Sequence, residues 1–424
     1  MNLTKEQQEI YDGKQGATLA KVMQTLVRYG ELFGADSMVP VTSKYNHLVT
    51  SFGLKALAPV YELMNQLIES GNVSKQKFSA DPRPLDPNVP SSFLQDFVFK
   101  NFMYSKQDDY EKQLTQLGIM EKDAYTCTCY MDEVGNTPAM GEVLSWSESS
   151  AVVYANSVLG ARCNRNSGII DLMGSVVGYV PRFGLDEGRK ATWIVKIETT
   201  KKPEAQLLGS AIGMKVMADV PYIVGLDKWL GGELDDAAKT YLKDFGAATA
   251  SNGAVGLYHV ENITPEAVKY GKDLIAEDAK VYVVDDAELQ RVYESYPVIW
   301  KKKDAKPKLC FMGCPHMSLQ QLIDWTEKVS QSLKEAGRTR VCIPTVFTAA
   351  PAVLKKFQET PYAETLKATG VITSYICPLM YMNNPLSEKM PVITSSNKLR
   401  TYTSARYYTD AEILEQITKG GADR

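Results

Sequence analysis

Residues 145–165 read SWSESSAVVYANSVLGARCNR, and this stretch sets the expectations for the whole chain. Ser145 and Ser147 are candidate N-caps, since a side-chain oxygen there can accept an N–H that the first helical turn leaves unpaired. Ala151 to Leu159 is apolar at helical spacing, and Gly160 supplies a stop signal. Arg162, Asn164 and Arg165 then form a polar cluster at the helix end. Asn156 and Ser157 interrupt the apolar body; burying them without partners is costly, so they are expected to face a site or a polar network.

Upstream, Thr4 to Gly34 carries apolar residues at intervals of three and four and predicts a helix. Ser37 to Val41 follows as a short strand and Leu54 to Ser70 as a second helix. Phe78 to Pro90 (FSADPRPLDPNVP) holds four of the twenty prolines and must be irregular, a loop or a lid, because proline removes a backbone donor and restrains its predecessor. Asp96 to Met120 favours helix. Tyr125 to Tyr130 (YTCTCY) has strong strand propensity.

Downstream, strand-like and helix-like segments alternate. Strands are expected at Ala191 to Thr200, Tyr222 to Leu226, Ala254 to His259, Lys280 to Val284, Pro307 to Met312, Arg340 to Pro344 and Gly370 to Cys377. Helices are expected at Ala205 to Met217, Glu233 to Phe245, from Thr264, Ser318 to Ala336 and Ala349 to Gln358. This alternation predicts an α/β fold with a parallel sheet. Cys314 and Cys377 fall at or just past strand ends, the rim where open α/β sheets bind ligands.

Composition bounds the function. The chain has 424 residues, too long for one ordinary core, so subdomains are expected, with possible divisions near 120 and 300. A formal charge of −3 gives no electrostatic case for nucleic acid or an anionic membrane. The N-terminus lacks a signal peptide's basic start and apolar core, and no apolar run is long enough to span a bilayer. The seven cysteines, scattered and odd in number, argue for reduced thiols in the cytoplasm.

Three of those cysteines, Cys127, Cys314 and Cys377, lie on separate segments and can hold an iron–sulfur cluster with one iron left open. Thiolates are soft donors that suit iron, and an open iron is a Lewis acid for a substrate oxygen. The alternative is that they are small buried hydrophobes, as isolated cysteines usually are. Cys129, Cys163, Cys310 and Cys342 fit that second reading.

The segments SESSAVVYANSVLGARCNR (147–165), YTCTCY (125–130), MGCPHMS (312–318), NGAVGLYHV (252–260) and SSNK (395–398) resemble the large, catalytic subunit of the aconitase X family over almost the whole chain. The resemblance implies an aconitase-like body of two or three packed doubly wound α/β units without the swivel domain. Members of that family are hydro-lyases that dehydrate cis-3-hydroxy-L-proline or mevalonate 5-phosphate. By match to its motifs, Cys127, Cys314 and Cys377 are expected to bind a [4Fe-4S] or [2Fe-2S] cluster or a single iron. Glu148, Ser149 and His316 are expected in catalysis; Asn156, Ser157, Arg162, Asn164, Arg165, Ser318 and Lys398 are expected to bind a small anionic substrate.

Alternative roles stand beside these. Arg162 and Arg165 could complement a helix C-terminus, Glu148 and Ser149 could stabilise a first turn, and His316 could be a ligand, an acid-base group or, as favoured, a hydrogen-bond donor beside the ligands. His259, in an apolar run, reads as a satisfied core histidine. The family's SAH segment is represented only by Ser43, Lys44 and Tyr45, with His47 displaced.

Nothing in the chain resembles the swivel domain, so a separate small subunit carrying it is expected, with the base that removes the carbon-bound proton. The expected reaction is elimination of water from a hydroxy acid, with cis-3-hydroxy-L-proline favoured over mevalonate 5-phosphate. The rival readings are a non-catalytic iron or redox sensor and a structural zinc or cluster-free protein.

Overall fold

The computed structural model describes residues 1–120 and 124–420. A capping box at Thr4 opens the helix Lys5–Tyr11, and a second helix, Ala17–Leu32, follows after a break at residues 12–16. The single helix expected there is therefore two. Strand β1 is Met38–Pro40, β2 Asn46–Leu48, β3 Phe78–Ala80 and β4 Tyr179–Pro181. β2 and β3 pair in parallel, while β1 and β4 pair antiparallel, an exception to the expected parallel pattern. Ile10, Met23, Leu26, Met64, Leu67, Phe78 and Leu114 make the core of this N-terminal region.

The next region carries β5 (Ala191–Ile197), β6 (Pro221–Val224), β7 (His259–Val260) and β8 (Ile275–Val284). All pair in parallel, in the order β7-β6-β5-β8. The helices Ala205–Val216 and Asp236–Asn252 pack against each other beside it, and the helix Ser149–Ser157 joins the same core through Val152 and Val153. The C-terminal region holds β9 (Leu309–Met317), β10 (Thr345–Ala349), β11 (Ile372–Ser374), β12 (Val392–Thr394) and β13 (Arg406–Tyr407). They too are all parallel, in the order β11-β10-β9-β12-β13.

Both sheets start in the middle, grow one way and then reverse, which is the doubly wound pattern. Ligands bind at such a reversal, where the loops leaving adjacent strand ends part in opposite directions. In the first sheet the reversal lies between β5 and β8, and it is closed by Thr200, whose N–H and hydroxyl both donate to Asp286. In the second it lies between β9 and β12, beside Cys314 and Ser396. Strand ends from two sheets reach the site: Val49 and Asp81 follow β2 and β3 of the small N-terminal sheet, and Cys314, Cys377 and Lys398 come from the C-terminal one.

Local expectations fail for identifiable reasons. YTCTCY is not a strand: one bridge joins Ala80 to Tyr125, and Thr128 N–H then turns back to Thr126 Oγ1 at 3.0 Å. The strand expected at Arg340 to Pro344 lies instead at β10, and that expected at Ala254 to His259 shrinks to β7. The segment expected to be one helix over Asp96 to Met120 is broken at residues 104–106.

Candidate functional site

At the β9–β12 reversal the chain opens a cavity of ≈ 440 Å³. Cys127, Cys314 and Cys377 all line it, with Glu148, Ser149, His316 and Lys398. Seven of the thirteen expected site residues, from five separate segments of the chain, thus meet at one place.

Each cysteine is set by backbone constraints. Cys127 follows the turn at Thr126 and accepts the His316 N–H at 3.4 Å. Cys314 follows Gly313, whose φ of 95° and distance of 2.2 Å from a would-be Cβ to Thr348 O admit glycine alone. The Cys314 carbonyl accepts from Ser396 Oγ and, at 3.3 Å, from Gln206 Nε2. Cys377 N-caps the helix Pro378–Met382, and its N–H donates to Arg83 O at 2.9 Å.

Burial raises all three thiols, Cys377 to about 12. Lys398, paired with Glu148, works against this at each of them without overcoming burial. A bound cation would supply the positive charge that thiolates need here. Among the described residues no three of His, Cys, Asp and Glu are grouped to hold one metal ion. Three thiols lining one cavity are soft donors of the kind that suit iron.

Glu148, not Ser145 or Ser147, caps the helix Ser149–Ser157: its Oε2 accepts Ala151 N–H at 2.7 Å and Ser150 Oγ at 2.6 Å. Ser145 Oγ donates to Asp171 O at 2.8 Å, and Ser147 Oγ accepts Val49 N–H at 2.8 Å. Lys398 donates to Glu148 Oε1 and, at 3.1 Å, to Ser150 Oγ. Burial works to raise the Glu148 carboxyl, but Lys398 and its hydrogen bonds overcome this and hold it below the ordinary carboxylate range. Burial would lower the Lys398 ammonium, yet Glu148 lifts it above its usual value. The pocket thus contains a preformed carboxylate–ammonium pair.

His316 is fully buried, and both ring nitrogens are used: Nε2 lies 3.0 Å from Ile376 O and Nδ1 3.0 Å from Thr126 Oγ1. A carbonyl can only accept, so Nε2 carries the proton and Nδ1 accepts from Thr126. Burial pushes the ring down to about 4, so it is neutral. This ties the Cys314, Cys377 and Cys127 segments together and leaves His316 positioned as a brace, which corrects the acid-base role.

The remaining expected substrate ligands lie elsewhere. Asn156 pins the turn after its own helix: Nδ2 donates to Cys163 O and Gly256 O, both at 2.8 Å, and Oδ1 accepts Cys163 N–H at 2.9 Å. Ser157 Oγ accepts Tyr258 N–H at 2.9 Å. Arg162 donates to Asp186 O, and Asn164 donates to Asp186 Oδ2 at 3.0 Å. Ser318 N-caps the helix Leu319–Glu335 through a capping box. Asn156, Ser157, Arg162 and Asn164 hold the polar network that Asn156 and Ser157 were alternatively expected to join, and Ser318 stands apart from it as a helix cap. Arg165 is exposed and stands within electrostatic reach of Tyr402, which lines the cavity.

The cavity also contains residues that the motifs did not flag: Asp81, Asn166, Gly168, Met380 and Tyr402. Asp81 sits just past β3 at the head of the proline-rich loop, an acid at a strand end, which was its only local signal. Gly168 starts the helix Gly168–Val177; a Cβ there would meet Val49 O at 1.4 Å, so glycine lets this N-terminus press against the cavity wall. His259, outside the cavity, is buried with Nε2 2.8 Å from Arg189 O.

Residues 1–187 match the family model described as the aconitase X first domain, and residues 191–294 that of the second domain. A phosphomevalonate dehydratase large subunit from Thermococcus kodakarensis is 32% identical over 87% of this chain and 86% of its own. A cis-3-hydroxy-L-proline dehydratase from Hypocrea jecorina is 26% identical over 76% of this chain and 52% of its own. The crystal structure of Thermococcus kodakaraensis aconitase X in its holo form superposes with a TM-score of 0.79 at 28% identity, covering 98% of this chain and 100% of that one.

Proposed function

This chain belongs to the aconitase X family, and from that premise we propose that it is the large subunit of a phosphomevalonate dehydratase. The reaction class is that of a hydro-lyase. This prefers mevalonate 5-phosphate, the alternative at the level of sequence, over cis-3-hydroxy-L-proline, because the phosphomevalonate dehydratase large subunit resembles the chain more closely and over most of its own length.

The observation that carries the substrate reading is the helix Gly168–Val177, whose N-terminus opens on the same cavity as the three cysteines. A phosphate needs a cationic or helix N-terminal pocket besides the one that receives the carboxylate. The first-turn N–H groups at Gly168, with Asn166 beside them and Arg165 at the rim, supply one. Lys398 lines the same cavity and pairs with the substrate carboxylate, Glu148 holding it in position meanwhile. Hydroxyproline has one carboxylate and would leave the helix end unused.

Cys127, Cys314 and Cys377 would hold an iron–sulfur cluster, which when bound would supply Lewis acidity toward a substrate oxygen. The chain's own groups bind and orient: Ser149 and Lys398 on one wall, the helix end on another, His316 bracing the cysteine-bearing segments. A separate small subunit closes the cavity and supplies the base. The relative's name as a large subunit supports such a partner.

The test is anaerobic co-purification with the small subunit, followed by assays on phosphomevalonate and cis-3-hydroxy-L-proline with iron and sulfide quantified. Turnover of phosphomevalonate, abolished by Cys314→Ser together with loss of iron, is the expected result. Turnover of hydroxyproline alone would overturn the substrate, and a fully loaded cluster without turnover of any hydroxy acid would favour a sensor.

A further inference from the structure

Asp81 lines the cavity but is 9% exposed, and its Oδ1 has no hydrogen-bond partner. The group facing that oxygen is His47, fully buried, whose Nε2 lies 3.7 Å away and also lacks a partner. Two complementary orphan atoms side by side in a buried wall are costly unless they serve the cavity.

A chain of hydrogen bonds fixes the direction of this pair. Asn136 Nδ2 can only donate, and it donates to Ser79 Oγ at 2.8 Å. The Ser79 hydroxyl hydrogen is therefore free to go elsewhere, and His47 Nδ1 at 2.9 Å is closer than Asn46 O at 3.5 Å. With Nδ1 accepting, the ring proton sits on Nε2, the nitrogen 3.7 Å from Asp81 Oδ1. An oxygen already faced by a donor leaves the other one, Oδ2, to carry a proton into the cavity.

We propose that Asp81 is the acid that protonates the departing hydroxyl, with His47 as its positioning residue. The proposal rests on the dehydratase reading above. A base takes the proton from the carbon adjacent to the hydroxyl-bearing carbon, and that C–H pair becomes the second bond of the alkene. The C–O bond breaks with its pair on oxygen, which takes the Asp81 proton and leaves as water. Asp81 becomes a carboxylate stabilised by the His47 Nε2–H, and the proton held by the base returns to it through solvent.

The surroundings agree with a carboxyl that rests protonated. Burial and the neighbouring Glu148 charge raise Asp81 well above the carboxylate range against the pull of Lys398, while burial keeps His47 neutral, lowered to about 4.

The experiment uses the full chain with its small subunit and cluster, assayed on phosphomevalonate. Asp81→Asn keeps the shape and removes the proton; kcat is expected to fall at least ~100-fold with KM within about threefold. His47→Ala should lower kcat at least ~10-fold, and His47→Gln, whose amide can donate to the same oxygen, should recover most of it. If Asp81→Asn does not fold, the two His47 variants decide. Asp81→Asn with near-wild-type kcat, or equal losses in the two His47 variants, overturns the proposal while the dehydratase reading stands. A wild-type enzyme that turns over no hydroxy acid removes the reading and the acid with it.

Discussion

Lys398 and Glu148 show how a single residue can be read correctly as part of a site and still need the structure for its role. Lys398 was legible as a clamp from the SSNK segment; its partner 250 positions away was not. Removing one member of a buried pair leaves the other charge uncompensated, so Lys398→Met is expected to abolish turnover and to cost about 3–5 kcal/mol of stability. Adding Glu148→Gln should restore much of the stability and none of the turnover, as denaturant unfolding and the dehydration assay would show. Ser318 lies on the opposite side of this distinction. As an N-cap away from the cavity wall, Ser318→Ala should cost ~1 kcal/mol and leave KM unchanged; a raised KM would return it to the substrate site.

Among the elements, the segment 125–130 departs most from its propensity. Its threonines and flanking tyrosines favour a strand, yet Thr126 Oγ1 serves Thr128 N–H, Thr128 Oγ1 and His316 Nδ1 at once. Local side-chain bonds competed with the sheet ladder and won. Thr126→Val, isosteric without the hydroxyl, strands a buried N–H and a ring nitrogen and is expected to cost about 1–3 kcal/mol. Because this turn carries Cys127, iron retained after purification should fall as well; unchanged iron content would mean that the turn holds itself. The helix Ser149–Ser157 was legible from its spacing, but its cap was not, since Ser145 and Ser147 are equally good caps and only packing assigns them to Asp171 and Val49.

For the whole molecule, buried titratable groups set an unusual acid response. His47 and His316 sit at about 4 against 6.5 when unfolded. Between those values the unfolded chain binds protons that the native one refuses, so these two lower stability as pH falls. Asp186 and Glu204 sit at about 7. In the same window the native chain keeps protons that the unfolded one has lost, so these two raise stability as pH falls. Asp81, Asp171 and Asp410 are raised as well and His259 is lowered, so raised carboxyls outnumber lowered histidines, and a chain without cluster is expected to hold or gain stability from about pH 6.5 down to about pH 4.5, measured by urea unfolding. A steep loss across that range would mean that the carboxyls titrate normally in the fold. No helix among the described residues is long and apolar enough to cross a membrane.

The sequence by itself determined the alternation of strands and helices, hence the α/β class, and through long motifs it determined the three cysteines, Glu148, Ser149, His316 and Lys398. These depend on local periodicity and residue chemistry, which are written along the chain. Only the tertiary structure decided which polar residues of one motif face the cavity and which brace it, because Ser149 and Ser157 differ in surroundings and not in type. It also decided that Asp81 and His47, joined by a parallel pairing of β2 and β3, meet beside the cysteines. Contacts between strands distant in sequence follow from sheet order, and sheet order is fixed by the packing of the whole chain.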